Sequence, residues 1–302
     1  QADGNLVLYV DGVPVLEQII QIPVWGLGAN NSSATSFEMK RSLTTVTSRG
    51  CPYACLFCHR GESGARSWNV RSPENLAEEF RWLMETYNVD FVGCVDDNAA
   101  VDAWRCQSLP RACAGLGLRW GTHLRLDEAT PERLGPMREA GCIYAGFGAE
   151  SASARTLKRM KKGGHMLTRG LTTVNGYEFP TAMVEGIRYC KEIGVHANCT
   201  WIAGFPGETL DDLKMSVAFI LWQTELATEG MVSGSLEHQK ATASINKRMF
   251  TATAYPGTEM FNDPESQVKL RENFGITFDN GRPVPDKYLR RYIEQLDDAT
   301  KI

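Results

Sequence analysis

The sequence predicts an α/β fold, a partial (β/α)6 TIM barrel, from three observations. Runs of apolar and β-branched residues, each of strand length, alternate along the chain with amphipathic segments of helix length. The strand-like runs end in polar or charged residues, which is where parallel α/β barrels carry their chemistry. The 302 residues, 43% of them hydrophobic, suffice to bury the core of one large domain with a small appendage.

The first β/α unit begins with SLTTVTSRG at residues 42–50, a β-branched run that ends in glycine. The loop CPYACLFCHR follows, and then RSPENLAEEFRWLMETY, a helix with Ser72 as N-cap and Pro73 in its first turn. A strand, a loop and a helix in this order place the loop at the carboxyl end of the strand. The loop's three cysteines are therefore expected where a barrel binds its ligands.

Five further units complete the predicted barrel, and no low-complexity linker divides them. After the third strand, TPERLGPMREAG predicts a short helix with Thr130 as its cap and Pro131 in its first turn. The second to sixth strands are predicted at 89–97, 118–128, 142–151, 195–209 and 244–261. The predicted domains are a linker at 1–41, the barrel at 42–262 and a C-terminal extension at 263–302.

The bulk composition excludes several classes of protein. A net charge of -4 gives no electrostatic case for a nucleic-acid partner. No apolar run reaches the roughly 18 residues of a membrane span, and the opening QADGNLVLYV is no signal peptide. Because the chain starts with glutamine, we expect it to begin inside a longer protein or after processing. Six scattered cysteines are expected to be reduced, buried residues of a cytoplasmic protein: Cys94, Cys106, Cys113, Cys142, Cys190 and Cys199.

Three explanations compete for the cysteines at 51, 55 and 58. Chance packing is weak, since the tight spacing after a glycine favours a loop over a core strand. Structural zinc needs four ligands, and His59 or His123 could supply the fourth. The third explanation is an iron–sulfur cluster held by only three thiolates, which leaves one iron open to a substrate or cofactor.

The spacing C-x₃-C-x₂-C, with an aromatic residue at Phe57, resembles the signature of the radical S-adenosylmethionine (SAM) superfamily. The resemblance implies that Cys51, Cys55 and Cys58 bind a [4Fe–4S] cluster. It also implies that the amino and carboxylate groups of SAM chelate the fourth iron, on a partial barrel of the radical SAM type.

Further motifs extend the resemblance over most of residues 20–262. AGCIYAGFGAES, LKRMKKG, GFPGET and AYPGTEMF are similar to the cobalamin-dependent subgroup, which includes anaerobic protoporphyrin cyclases and class B carbon methyltransferases. Methylthiotransferases share GFPGET, but no second cysteine triad is seen. VLYVDGVPVLEQIIQIPVWGL resembles the linker after a cobalamin domain. The Asp-x-His-x-x-Gly cobalamin motif is not found, so that domain is expected to be missing from this chain.

The resemblance also implies SAM contacts at the strand ends. Asp-Asp-Asn at 96–98 replaces the usual Gly-Gly-Glu that contacts the SAM amino group. Arg125 and His123 alternate on the third strand, so both face the interior if either does; Arg125 would bind the SAM carboxylate or form a salt bridge to Asp127 or Glu150. The implied cofactor-binding residues are Phe57, Asp96, Asp97, Asn98, His123, Arg125, Glu150, Gly204 and Tyr255.

Individual roles follow from the family and from residue type. Phe57 and Tyr255 are expected near the adenine, and Glu150 near the ribose hydroxyls. Gly204 permits close approach of a ligand to the backbone, while Glu208 is a candidate cap for the following helix. The basic run at residues 159–162 is interpreted as a helix end that matches its dipole.

The function implied is reductive cleavage of SAM to a 5′-deoxyadenosyl radical, which abstracts hydrogen from an unactivated carbon of a small molecule. Methylation with cobalamin is the expected outcome. Cyclisation, oxidation or rearrangement without cobalamin, methylthiotransfer, and a non-catalytic metal-binding scaffold are the alternatives. An external one-electron reductant such as flavodoxin or ferredoxin is the expected partner.

Overall fold

A computed structural model describes residues 41–59, 66–247, 249–255, 257–264 and 267–268. It also gives the backbone of two antiparallel strand pairs, Tyr9–Val10 with Val13–Pro14 and Phe278–Asp279 with Arg282–Pro283. The chain forms two compact units, the first of residues 1–53 and 66–251 and the second of residues 54–65 and 252–302. Most of the predicted linker and extension lies outside the described residues, so the predicted domain boundaries stay predictions.

The first unit is built on a six-stranded sheet in which every neighbouring pair is parallel. The strands lie in the order of the sequence, which is the winding of a (β/α) barrel. The predicted fold class, a partial TIM barrel, is therefore confirmed. The strands are β1 (Ser42–Thr45), β2 (Phe91–Cys94), β3 (Arg119–Arg125), β4 (Cys142–Glu150), β5 (His196–Ala203) and β6 (Met249–Thr251).

Helices of the first unit cover the outer side of this sheet. They are α1 (Pro73–Tyr87), α2 (Ala103–Ala112), α3 (Leu134–Glu139), α4 (Ala154–Arg159), α5 (Gly163–Met166), α6 (Thr181–Ile193), α7 (Leu210–Thr228) and α8 (Leu236–Ser244). The second unit has a short helix of its own, α9 (Glu259–Asn262). No helix in the described part of the chain has the length and apolarity that crossing a membrane requires.

Side-chain alternation on the strands separates the helix layer from the barrel interior. Trp120 on β3 packs against Phe80 of α1, with 6.1 Å between the ring centroids. Trp201 on β5 packs against Phe219 of α7 in the same way, at 5.6 Å. Because side chains alternate along a strand, His123 and Arg125 project from the face of β3 opposite to Trp120. The large aromatic residues thus form the core on one side and leave polar groups on the other.

Local signals identified some helices correctly and missed others. Ser72 caps α1 as predicted, since its side chain accepts a hydrogen bond from the Asn75 amide at 3.2 Å. The predicted Thr130 cap is wrong, because α3 begins only at Leu134, whose amide bonds to the Thr130 carbonyl. Residues 126–128 form a 3₁₀ turn before it. An antiparallel hairpin, Leu171–Val174 with Tyr177–Pro180, and the helices α6 and α8 were not predicted.

The predicted first strand, 42–50, is broken in the structure. Only its first half joins the parallel sheet, as β1. Residues Ser48–Gly50 turn away and pair antiparallel with Trp68–Val70. We call this two-stranded element the loop ribbon, because the cysteine-bearing segment begins and ends on it.

Candidate active site

The cysteine loop begins directly after the loop ribbon. Gly50 takes φ = +85°, a left-handed conformation that favours glycine. A Cβ atom placed on Gly50 would lie 2.2 Å from the carbonyl oxygen of Ser67, the residue directly before the opposite strand. Glycine is therefore required immediately before Cys51, and this requirement fixes where the loop leaves the ribbon. Cys51 itself is half-buried.

Asp96 holds the chain that leads to the cysteines. Its carboxylate, 5% exposed, accepts hydrogen bonds from the Thr47 amide at 2.6 Å and the Ser48 amide at 2.9 Å. The Thr47 hydroxyl donates to the same carboxylate, and the Thr122 hydroxyl lies 3.4 Å from it. The Asp96 side chain is thus engaged within the protein, and it bends residues 47–48 out of β1.

The two residues after Asp96 extend this support. The Asp97 carboxylate accepts a hydrogen bond from the Gly50 amide at 2.9 Å. The carbonyl of Asn98 accepts from the Trp68 indole at 2.9 Å and from the Ser48 hydroxyl at 3.3 Å. The end of β2 therefore carries the loop ribbon, while the predicted contact of residues 96–98 with the SAM amino group stays a prediction.

Arg125 lies in a buried network of charges. Its Nε and Nη2 atoms donate to the two carboxylate oxygens of Asp127 at 2.9 and 2.8 Å, and Nη2 also reaches the Lys162 carbonyl. Of the two salt bridges weighed from sequence, the structure forms the one to Asp127 and pairs Glu150 elsewhere. The guanidinium also lies 4.2 Å from the ring centroid of Tyr53, in a cation–π contact.

Glu128 joins the same network from the 3₁₀ turn. It is 3% exposed and accepts hydrogen bonds from the Tyr53 hydroxyl at 2.8 Å, the Asn98 amide at 3.1 Å and the Arg125 backbone amide at 3.2 Å. Burial raises the pKa of Glu128, although these hydrogen bonds lower it in part. Burial, and next the Glu128 carboxylate, raise the pKa of Tyr53, so its phenol stays a hydrogen-bond donor.

Glu150 ends β4 in an unusual backbone conformation. Its φ is +64°, which is rare for a residue with a side chain and is typical of functional or strained positions. The carboxylate pairs with the ammonium of Lys162 at 3.0 Å, and both side chains are almost fully buried. A Cβ atom on Gly148 would lie 2.5 Å from the Glu150 carboxylate and 2.8 Å from Lys162, so glycine makes room for this pair.

His123 lies two residues before Arg125 on β3 and faces the same side of the sheet, the barrel interior. Its imidazole packs against the backbone of Gly146, where a Cβ atom would lie 2.5 Å from the ring. Burial lowers the pKa of His123, which favours the neutral imidazole near neutral pH. The predicted cofactor contact of His123 stays a prediction.

The GFPGET segment after β5 is held by its own side chains and by α4. Gly204 takes φ = +77°, and its amide donates to the Glu208 carboxylate at 2.6 Å. Glu208 thus closes its own turn, and the cap of α7 is Thr209, so the predicted capping role of Glu208 is wrong. Arg159 donates to the Pro206 carbonyl at 2.9 Å.

The second unit contains the remaining two cysteines. The Cys58 amide donates to the Cys55 carbonyl at 3.2 Å, which makes a tight turn with Phe57 at its centre. Leu56 anchors this turn, because its carbonyl accepts the Met260 amide of α9 at 2.9 Å. Cys55 is buried and Cys58 exposed.

Tyr255 lies within the predicted sixth strand, 244–261, but β6 ends at Thr251. The Tyr255 ring is 44% exposed in the second unit, and its carbonyl accepts hydrogen bonds from Thr258, the N-cap of α9. The predicted contact of Tyr255 with adenine stays a prediction.

The donor chemistry of the loop fits an iron–sulfur cluster. Three thiols lie within eight residues, and two of them belong to the first and last residues of the turn at 55–58. Among the residues that the structure describes, no three His, Cys, Asp or Glu side chains converge as the ligands of a single metal ion. Cluster cysteines each bind a different iron, so they need not converge on one point.

Sequence reasoning missed four residues of this region: Thr47, Tyr53, Glu128 and Lys162. The dense charge of Arg125–Glu128 directly after an apolar strand was the available signal for Glu128. Lys162 stands in a basic run, where a solvated face is the usual expectation, yet it is 5% exposed. Its burial depends on Glu150, which precedes it by twelve residues.

Comparison with known proteins identifies the class to which this barrel belongs. The family model described as the Radical SAM superfamily matches residues 45–220, which is more than half of the chain. The chain therefore belongs to the radical SAM superfamily, and the resemblance predicted from the cysteine spacing is confirmed.

Individual relatives carry the names of methyltransferases. An uncharacterized methyltransferase of Pyrococcus horikoshii is 27% identical over 219 residues, which is 72% of this chain and 40% of that protein. Cytidylyl-2-hydroxyethylphosphonate methyltransferase of Streptomyces wedmorensis is 30% identical over 181 residues, 56% of this chain and 31% of that protein. The chain thus spans less than half the length of these curated relatives.

A solved structure shares the fold. The radical S-adenosylmethionine methyltransferase TsrM of Kitasatospora setae, solved with cobalamin and a [4Fe–4S] cluster bound, superposes with a TM-score of 0.50 at 18% sequence identity. The match covers 61% of this chain and 34% of that one. At this identity the likeness extends to the partial barrel alone.

Proposed function

We propose that this chain is the barrel of a radical SAM enzyme that methylates an unactivated carbon of a small molecule. One observation carries the proposal: a C-x₃-C-x₂-C loop lies beyond the first strand of a parallel barrel sheet, directly after the loop ribbon and within the matched family region. The methyltransferase names of the relatives favour methylation over cyclisation or oxidation. The chain covers too little of those relatives for their substrates to be carried over.

Cys51, Cys55 and Cys58 are the residues proposed to hold a [4Fe–4S] cluster, which with bound SAM supplies one-electron cleavage to a 5′-deoxyadenosyl radical. The residues around the loop orient it. Asp96 and Asp97 hold the backbone before the first cysteine, and the aromatic and aliphatic core behind β3–β5 keeps the strand ends in place.

Glu150 is the residue we retain for the ribose hydroxyls of SAM. Its carboxylate is a hydrogen-bond acceptor at the end of β4, and its left-handed backbone aims the side chain back toward Lys162. Asn98, His123 and Gly204 are kept as further contacts, with Phe57 and Tyr255 proposed near the adenine. Arg125 already forms a bidentate pair with Asp127. We therefore assign Arg125 a role in supporting the cysteine loop, in preference to binding the SAM carboxylate.

Two further requirements belong to the proposal. An external one-electron reductant such as flavodoxin or ferredoxin would deliver the electron in a cytoplasmic setting. Cobalamin is the proposed methyl carrier, but the sequence has no Asp-x-His-x-x-Gly motif, and no residue of this chain is assigned to it. The proposed substrate is a small molecule, recognised by side chains on the interior face of the barrel strands.

Anaerobic reconstitution tests the proposal. Purified protein given iron and sulfide should bind four irons per chain and, with SAM and dithionite, should release 5′-deoxyadenosine, measured by mass spectrometry. Cys55→Ala should abolish both, whereas Cys113→Ala, which removes a buried thiol outside the loop, should retain them. Stoichiometric zinc without SAM cleavage would contradict the proposal and favour a metal-binding scaffold.

The methyl-transfer part is tested separately. With methylcobalamin and candidate substrates, formation of S-adenosylhomocysteine together with 5′-deoxyadenosine would support methylation, because one SAM is spent as methyl donor and one as radical source. Release of 5′-deoxyadenosine alone, with an oxidised or cyclised product, would reject methylation and keep the radical SAM assignment.

A further inference from the structure

A side chain inside the cysteine loop ties the loop to the barrel. We propose that Tyr53 is a positioning residue, whose contacts with Arg125 and Glu128 hold the first part of the loop in the shape that ligates the cluster. The inference rests on the proposed function, because it concerns the loop assigned to the cluster. Tyr53 stands between Cys51 and Cys55 in sequence and bears no metal-binding group.

The ring of Tyr53 packs against the guanidinium group of Arg125, which is itself held in place. The Arg125 guanidinium lies 4.2 Å from the ring centroid, within the range of a cation–π contact. Two hydrogen bonds from Arg125 to Asp127, at 2.9 and 2.8 Å, fix the plane of the guanidinium. The exposed His165 ring lies edge-on to Tyr53, with 5.3 Å between the centroids. The ring is therefore held on more than one side.

The hydroxyl of Tyr53 has an equally fixed acceptor. It donates to Glu128 Oε1 at 2.8 Å, and the same oxygen accepts from the Asn98 side-chain amide at 3.1 Å. The other oxygen, Oε2, accepts the Arg125 backbone amide at 3.2 Å. With 3% exposure, Glu128 has little solvent to compete for these hydrogen bonds, so the phenol is bound firmly.

Cys51 consequently lies between two fixed points. On its N-terminal side the Gly50 amide is bound by Asp97 at 2.9 Å. On its C-terminal side Tyr53 is bound by Arg125 and Glu128. If Tyr53 is removed, the anchor on the C-terminal side of Cys51 is lost, and we expect residues 51–54 to sample shapes that do not present Cys51 correctly.

Hydrogen exchange tests the anchor in the protein without iron. We compare Tyr53→Leu, which removes ring and hydroxyl contacts, with Tyr53→Phe, which removes only the hydroxyl. Tyr177→Phe in the hairpin, 40% exposed, is the control. Exchange of the amides at residues 51, 53 and 54 should accelerate about tenfold or more in the leucine variant, less in the phenylalanine variant, and not in the control. Rates equal to the control in both Tyr53 variants overturn the proposal.

A second measurement uses the reconstituted protein. Iron loss to a chelator should accelerate about tenfold in Tyr53→Leu and less in Tyr53→Phe, with an altered electron paramagnetic resonance spectrum of the reduced cluster. A lowered melting temperature with unchanged iron loss and spectrum would mark a merely structural role and overturn the proposal. If the leucine variant does not fold, the phenylalanine variant decides.

The two hypotheses fail in different ways. Wild-type protein that takes up no iron would contradict the proposed function, while the exchange measurement would still decide whether Tyr53 anchors the loop. Wild-type protein that binds iron, with Tyr53 variants that match the control in both measurements, would reject the anchor and leave the proposed function standing.

Discussion

Gly50 combines two separate constraints at a single residue. It has a left-handed φ of +85°, and a Cβ atom introduced by substitution would collide with the Ser67 carbonyl. We predict that Gly50→Ala lowers the free energy of unfolding by about 2–4 kcal/mol, since backbone strain and overlap add. Gly115→Ala is the matched control, because Gly115 has φ = +76° but open space around it.

Urea unfolding of the two glycine variants checks this prediction. Gly115→Ala should lose about 1 kcal/mol, from backbone strain alone. Equal losses in both variants would show that the Ser67 carbonyl moves aside at little cost, and that the loop ribbon is softer than the contact indicates.

The buried pair of Glu150 and Lys162 permits a second test at the residue scale. Lys162→Met leaves a carboxylate buried without its ammonium partner, so we expect a loss of about 3 kcal/mol in unfolding free energy. The double variant Glu150→Gln with Lys162→Met should recover much of that loss, because no unpaired charge remains buried. A double-mutant cycle in urea measures the coupling, and additive losses would contradict it.

Asp212 joins two elements, α4 and α7. Its carboxylate accepts from the Ser153 hydroxyl at 2.6 Å and from the Thr209 amide at 2.8 Å, and it forms a salt bridge with Arg155. Burial alone would raise the pKa of Asp212, but these hydrogen bonds outweigh it and hold the pKa well below its usual value. The N-caps of two neighbouring helices therefore share one carboxylate.

A depressed carboxyl pKa stabilises the folded state above the unfolded pKa, and the stabilisation is lost as the pH falls. We predict that Asp212→Asn costs about 2 kcal/mol near neutral pH. The difference from wild type should shrink below about pH 4, where the unfolded carboxyl begins to bind its proton. Urea unfolding from pH 7 to pH 3 measures this, with the exposed Asp211→Asn as control. A pH-independent difference would contradict the assignment.

Elements set by nearby residues were predictable from the sequence, and those set by distant residues were not. The start of α1 was predicted because Ser72 and Pro73 act within one helical turn. The break in the strand at 42–50 was not, because the carboxylate that bends it, Asp96, lies 48 or 49 residues further along the chain. The hairpin and α6 both lie between β4 and β5, after the short helices α4 and α5, and a simple alternation of one strand with one helix does not reveal them.

The residues of the candidate site also fall into those that the sequence alone indicates and those that depend on distant packing. The cysteine triad and the residues at the ends of β2, β3 and β4 were chosen as candidates because their type and order are visible in the sequence. Their partners were not, since the burial of Glu128 and Lys162 depends on packing that only the folded chain defines. Interior charges are hard to predict because sequence statistics place most charged residues in solvent.

On the scale of the whole molecule, the open sheet predicts a gradient of local stability. The strands β3, β4 and β5 each have two neighbours and a helix layer behind them, whereas β1 and β6 are the edges of the sheet. We expect the slowest hydrogen exchange at amides of β3–β5 and faster exchange in β1 and β6. Peptide-resolved exchange with mass spectrometry checks it, and equal protection across the six strands would contradict it.

The loop ribbon has a consequence for how this protein could change over time. Gly50 pairs with Trp68, so the two ends of the segment between them are held next to each other by the loop ribbon. Lengthening a closed segment costs little, roughly 0.6 kcal/mol for each doubling. We therefore expect a change in the length of the chain between Cys58 and Trp68 to leave the register of the barrel strands the same, which gives natural variation a place to act without disturbing the scaffold.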